Sequence, residues 1–459
     1  MAEAHFVQPP PAVQRPLQAA EGRPRPLLSL TDGIAIVIGI VIGSAIFETP
    51  ALVAANAGSA GNVVFVWILG GVISIMGALC YAELASAYPH TGGDYHYLDR
   101  AYGKNVAFLF AWARMTVIQT GSIALIAFVF GDYASQIFRL GPYSASIYAG
   151  SAVVLLTLGH LVGVQLSVNG QRWLTAAQIG GLLLLVGAGW LFASGTPAPA
   201  EAMRPMSASS FGLAMVFVLL SYGGWNEAAY VSGELRKPKK NIVRVLILSI
   251  LIIASFYVVL NLVLLQRLGI EGMAGSEAVG ADLMRLVAGE SGAVMVSLLV
   301  VACALASINA MIFTGARTSY AMGRDFLLFS RVGRWRRGGS VPVNALLLQA
   351  SIILFLVLFG AVRRKGFETM VDYTAPVFWL FFLLTTISLI VLRRKDPTPR
   401  PFRVPFYPVT PVLFALTCAY LLYSSIMYTG VGSFIGLGMV ISGIPILLIC
   451  RRREARNAK

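Results

Sequence analysis

Residues 33–50 read GIAIVIGIVIGSAIFETP, an apolar run that meets Gly43-Ser44-Ala45 where a membrane helix would continue. Residues 218–230 read VLLSYGGWNEAAY and carry a second interruption at Gly223-Gly224. A helix broken inside a bilayer exposes N–H and C=O groups that lipid cannot satisfy. Such a break survives only where protein buries it or where it lines a cavity. The first run opens the hydrophobic part of the chain, and the second belongs to the sixth segment from it. Matched breaks in two halves of a chain point to the substrate site of a secondary transporter.

Composition sets the class. Of 459 residues, 57% are apolar and only 12% charged, which excludes an ordinary soluble domain. Twelve stretches reach the roughly 20 residues needed to cross a hydrocarbon core of about 30 Å. They run approximately over 33–57, 63–88, 105–130, 143–164, 173–193, 211–231, 243–265, 291–316, 341–362, 373–392, 408–428 and 432–450. The fold class expected is an all-α integral membrane protein with twelve transmembrane helices, of which helices 1 and 6 are broken.

The net charge of +15 does not mark a nucleic-acid binder, because its distribution follows the membrane. With an inside N-terminus and alternating crossings, about 27 of the 35 lysines and arginines fall on the inner side. The clusters are 236–240, 331–337, 393–395 and 451–453. This positive-inside bias places both termini in the cytoplasm of a multi-pass protein of the cell membrane. Basic clusters beside membrane segments also suit anionic lipid head groups as partners. Residues 1–30 are Pro-rich and polar without an apolar signal-peptide core, and are expected to form a disordered cytoplasmic tail. Residues 451–459 form a basic tail.

Cys80, Cys303, Cys418 and Cys450 all lie in hydrophobic segments, where a disulfide is not expected. The four histidines make no metal-spaced cluster, and no G-x-x-x-x-G-K-[ST] phosphate loop occurs. Neither a metal nor another cofactor is expected, and no enzyme machinery is evident.

The breaks supply the chemistry. Gly39 and Gly43 also form a G-x-x-x-G pair, a common helix-packing device. The following Ser44 and Ala45, then Glu48, Thr49 and Pro50, suit an unwound turn and a new half-helix. N–H groups freed at such a start can hold a carboxylate. At the second break, Trp225, Asn226 and Glu227 begin the next half-helix. An ionisable Glu227 at membrane depth faces a cavity by default, although it also complements a helix dipole. Arg114 lies near the midplane of the third segment and needs a carboxylate, either Glu227 or Glu48. Asp32 reads as a helix N-cap and Glu83 as an interfacial acid.

With these residues in place, the chain resembles the amino acid–polyamine–organocation superfamily, most of all its L-type amino acid transporter branch. The matching strings are GSAIFETP (43–50), GALCYAEL (77–84), TGGDYHYL (91–98), YGGWN (222–226), GELRKPKKNI (233–242), GSEAV (275–279), SINAMIFTGAR (307–317) and SGIP (442–445). The resemblance implies a five-plus-five inverted repeat: helices 1–5 in 31–200, helices 6–10 in 207–395, and helices 11–12 appended in 400–450. It implies alternating access around a midplane amino-acid site. The substrate carboxylate would meet backbone amides around Gly43, Ser44 and Ala45. The ammonium would meet carbonyls of Ile42, Leu220, Ser221 and Gly223. Asn226, in the matched YGGWN string, joins this set.

Four departures from the family pattern stand out. The usual Gly-Ser-Gly is Gly43-Ser44-Ala45, and the aromatic residue often preceding the helix-6 break is Leu220. Small or medium neutral amino acids are therefore expected over Trp and dibasic ones, with Arg114 disfavouring cations. Gln178 replaces a helix-5 lysine that resembles a built-in cation, so coupling is by exchange or by protons. Gln178 is expected to bridge helices 1 and 8 through Ser307, and Glu227 to gate transport through its protonation. The loop over 131–142 lacks the cysteine with which animal relatives hold a glycoprotein, so no disulfide-linked heavy chain is expected. Other readings are a non-transporting amino-acid sensor and a cationic amino-acid or polyamine permease of the same fold. The short 6–7 loop argues against a major facilitator.

Overall fold

A computed structural model describes residues 29–90, 92–163, 168–191, 206–228, 235, 238–326, 329–334 and 342–457. Those residues form helices joined by turns. Ser29 caps α1 (Leu30–Val41) through a capping box in which Asp32 returns a bond to the Ser29 amide. The cap is thus Ser29 and not Asp32, which occupies the third helical position. The chain then passes through a short 3-10 turn into α2 (Thr49–Ala57).

The helices that follow are α3 (Ala60–Ala87), α4 (Gly93–Tyr102), α5 (Lys104–Ala113), α6 (Gln119–Ile137), α7 (Ser144–Val162) and α8 (Val168–Leu191). Next come α9 (Ala208–Tyr222), α10 (Pro238–Ala274, turning at Gly269) and α11 (Val279–Asp325, turning at Ala288-Gly289). The last four are α12 (Val343–Arg363), α13 (Gly366–Lys395), α14 (Val409–Met427) and α15 (Gly432–Asn457). Of the expected disordered tail over 1–30, residues 1–28 lie outside the described residues, while Ser29 and Leu30 cap and begin α1; the last two residues of the basic C-terminal tail also lie outside.

Among the described residues, ten helical segments are long and apolar enough to cross a membrane, and Leu30–Val41 and Ala176–Leu191 are shorter apolar helices. The chain is a multi-pass membrane protein. Its outer face carries exposed Leu155, Phe355, Leu358 and Leu416, the apolar surface that a lipid solvent leaves unpenalised. Inside, α3 packs on α10, α6 on α11, α2 on α9 and α1 on α10. These contacts bring the two glycine interruptions together.

One polar cluster locks the frame. Glu83 on α3, expected as an interfacial acid, is fully buried within the protein. It forms a bidentate pair with Arg393, lies 3.4 Å from Arg400 and accepts the Val404 amide at 2.7 Å. Arg393 also stacks on Tyr407 at 3.7 Å. Beside this cluster, Tyr88 donates to Asp396 at 2.9 Å. The end of α3 is thereby tied to the α13–α14 connection by charge-assisted bonds.

Candidate functional site

At the first break, α1 stops at Val41 and Ile42 leaves helical geometry with ψ 70. Gly43 is extended, its amide turned back onto the Val41 carbonyl at 2.6 Å. Ser44 then opens a 3-10 turn through Phe47. The first N–H groups of any helical turn have no acceptor inside it. Ser44 and Ala45 therefore present amides at the interruption, whereas the Gly43 amide, expected to join them, is already engaged by the Val41 carbonyl. A Cβ added to Gly43 would lie 3.8 Å from the Ile40 and Val41 carbonyl oxygens, an ordinary van der Waals contact without a clash.

At the second break, α9 ends at Tyr222, and Gly223 donates to the Leu220 carbonyl at 3.0 Å. Gly224 takes φ 103, a left-handed value that favours glycine. A Cβ there would also approach Ile40 of α1 to 3.0 Å, so the two interruptions touch at this glycine. Trp225, Asn226 and Glu227 form one 3-10 turn, with Trp225 buried and the other two half-buried. Residues 229–234, where a second half-helix is expected, lie outside the described residues.

Side chains join the two breaks in two places, and a third bonds to the first break alone. Thr49 of α2 and Ser221 of α9 share a hydroxyl bond of 2.6 Å. Tyr257 of α10, fully buried, points its hydroxyl at the carbonyls of Val41 (3.1 Å) and Ser221 (3.2 Å). It thus addresses one freed carbonyl from each break. Gln178 of α8 donates to the Ile42 carbonyl at 2.6 Å. The expected bridge from Gln178 reaches helix 1 alone, because Ser307 takes no part in it. The Ile42 carbonyl expected to meet a substrate ammonium is already engaged, with its second lone pair left over.

Arg114 pairs with Glu227 at 3.3 Å and not with Glu48. It opens a π-helical stretch, Arg114–Ile118, that joins α5 to α6. Such insertions often accompany functional sites. The Thr116 carbonyl in this stretch accepts the Tyr373 hydroxyl of α13 at 2.8 Å. Asp94 of α4, buried and outside the candidate spans, faces the same charge pair. It accepts from Tyr81 and, at 3.2 Å, from Thr385. Burial pushes its carboxyl up to about 6, with the Tyr81 bond and the Arg114 charge working in the opposite direction. Tyr81 in turn packs edge-on against Trp225 at 5.2 Å, linking Asp94 to the second break.

Sequence reasoning missed Tyr257 and Asp94. Asp94 stands in the quoted TGGDYHYL string, where a carboxyl among aromatics was the available signal. Tyr257 carries no local signal, since both its partners are remote in sequence.

Residues 28–450 match the model of the amino acid permease family, and the chain belongs to that family. It is 31% identical over 444 residues to the mouse large neutral amino acids transporter small subunit 2, covering 92% of this chain and 80% of that protein. The human b(0,+)-type amino acid transporter 1 is 29% identical over 410 residues, covering 87% and 82%. The mouse Asc-type amino acid transporter 1 is 28% identical over 436 residues, covering 92% and 80%.

Proposed function

We propose that this permease carries neutral L-amino acids across the cell membrane by alternating access, as an exchanger or with protons. The observation that carries the reading is the meeting of two glycine interruptions under one hydroxyl, Tyr257 on the Val41 and Ser221 carbonyls. On this reading α1 and α2 are the halves of a broken first membrane helix, and α9 with the 3-10 turn begins a broken sixth. With α8 as the fifth helix, the chain has twelve crossings and a five-plus-five repeat over 31–200 and 207–395. Both termini are cytoplasmic, as the inner basic clusters favour.

The amides of Ser44 and Ala45 receive the substrate carboxylate beside Gly43, whose own amide is held by the Val41 carbonyl. The carbonyls of Ile42, Leu220, Ser221 and Gly223 receive the ammonium, with Asn226 beside them. A zwitterion so placed leaves water without leaving either charge unpaired. Gln178 holds the Ile42 end, and the Arg114–Glu227 pair, backed by Asp94, gates the second break. The names of the relatives support an amino acid as substrate. The α6–α7 connection has no cysteine, so no heavy chain is joined there by a disulfide.

Purified protein in proteoliposomes loaded with an excess of unlabelled L-leucine or L-alanine should accumulate the labelled amino acid by counterflow. Competition by the twenty amino acids should rank small and medium neutral ones above Trp, Arg and Lys. Binding without counterflow would leave a sensor, and preference for Arg or polyamines would leave the cationic permease.

A further inference from the structure

One buried carboxyl beside the substrate site has no part in the proposed transport. Glu48 follows the 3-10 turn of the first break and is only 9% exposed. Its backbone amide bonds to Ala45, but among the described residues its side chain makes no hydrogen bond or ion pair, and Oε1 is buried without a partner. It stands at the N-cap of α2 yet makes no capping bond. The arginine that could have neutralised it, Arg114, pairs with Glu227 instead.

The charges that bear on Glu48 are both negative. Asp132 comes from α6, and Glu277 from the connection between α10 and α11. Tyr133, beside Asp132, donates to the Phe47 carbonyl at 3.1 Å and accepts the Gly280 amide at 3.2 Å. It pins the turn, α6 and α11 together around the carboxyl. Asp282 of α11 pairs with Arg285, and Arg139 lies 3.5 Å from Glu277 at the exposed rim. Tyr257 of α10 and Tyr222 of α9 spend their hydroxyls on carbonyls of Val41, Ser221 and Trp67. Among the described residues no cation reaches Glu48.

The three carboxyls form a graded series. Glu277 has a side chain 69% exposed, Asp132 is half-buried and Glu48 is buried against the break. A buried ionised carboxylate without donors is costly enough that such groups neutralise instead. Neutralisation needs a bound cation or a proton. Among the described residues no group of three or more His, Cys, Asp or Glu has an arrangement that could hold a metal ion. A proton needs only the one carboxyl oxygen that Glu48 offers.

We propose that Glu48, with Asp132 as its relay to Glu277, is a proton-binding site beside the first break. A proton from hydronium or a buffer acid passes along the series and bonds to a Glu48 oxygen. This cancels one negative charge, and the reverse step returns the proton to water. The site lies on the half-helix that carries the proposed carboxylate amides, so its loading is coupled to movement of that half. The proposal deepens the transport reading above and rests on it for the coupling, but not for the proton site.

Two measurements separate these levels. Infrared difference spectra of purified protein between acidic and neutral pH should show a protonated-carboxyl C=O band that Glu48→Gln removes and Asp132→Asn shifts. An unchanged band in the correctly folded E48Q protein overturns the site. In proteoliposomes holding a pH-sensitive dye, L-leucine or L-alanine entry should acidify the lumen, and E48Q should cut this signal at least about tenfold. Acidification that persists in E48Q overturns the coupling. Loss of L-arginine counterflow in E48Q with acidification intact would mark Glu48 as a contact for cationic side chains and also overturns it. If wild-type protein moves neither probe, the transport reading fails while the infrared result still decides the site. A thermal unfolding scan verifies that E48Q is folded, and Glu48→Asp should restore the band.

Discussion

Glu83 and Glu48 are both buried glutamates in the same half of the chain, and the protein treats them in opposite ways. Glu83 has two arginines and a backbone amide, and every one of its partners comes from the α13–α14 region more than 300 residues away. Among the described residues Glu48 has no side-chain donor, and its Oε1 is buried without a partner. A fold able to enclose one carboxylate so completely does not lack the means to satisfy a second. Full satisfaction marks a lock, and a withheld partner marks a group that must change state. Asp94 lies between the two, buried but held by hydroxyls and within reach of a shared arginine.

The comparison breaks most easily at its satisfied end. Arg393→Ala leaves the buried Glu83 without its bidentate partner and should destabilise the protein by about 3–5 kcal/mol. Glu48→Gln should change stability by less than about 1 kcal/mol, because no bond is lost. Thermal unfolding in detergent reads both, and equal losses would erase the distinction.

Asp94 offers a pH test of the intermediate case. Its folded carboxyl is raised from 3.8 to about 6, so the fold favours the protonated form. The associated stability is present below the ordinary carboxylate range and is lost as pH rises through about 6, on the order of 3 kcal/mol. Asp94→Asn should flatten that fall between acidic and neutral pH. A wild-type slope retained in the variant would assign the titration to another group.

Tyr257→Phe sharpens the view of the breaks themselves. It removes the hydroxyl facing the Val41 and Ser221 carbonyls and should cost about 1–1.5 kcal/mol in stability. Counterflow should fall by more than this suggests, because the two half-helices lose their common tether. A variant with wild-type exchange would show that the breaks hold their geometry without it.

The contrast also explains what could be read from sequence. The interruptions were visible because glycine and small polar residues are anomalous in an apolar run, and that anomaly is local. The ion pair of Arg114 was legible as a need, since a midplane arginine must find a carboxylate, but two candidates fitted equally. The Glu83 lock was not legible, because Arg393, Arg400 and Val404 are remote and Glu83 lies near a segment end. Neither was the π-helical stretch at Arg114, which leaves no compositional mark. Gln178 was noticed as a departure from a family pattern, yet only packing directs it to Ile42 and away from Ser307.

The central claim is that the opening beside the first break receives an amino acid, and Gly43→Ala tests it most directly. The added methyl meets no atom closer than 3.8 Å and requires no unusual backbone angle. The fold should accept it with an unfolding temperature within about 2 °C of wild type. The methyl would occupy the space where the carboxylate meets the amides, so counterflow of L-leucine and L-alanine should drop at least about tenfold, the loss of ~1.4 kcal/mol of binding. A stable Gly43→Ala protein that exchanges both amino acids at the wild-type rate would contradict the account.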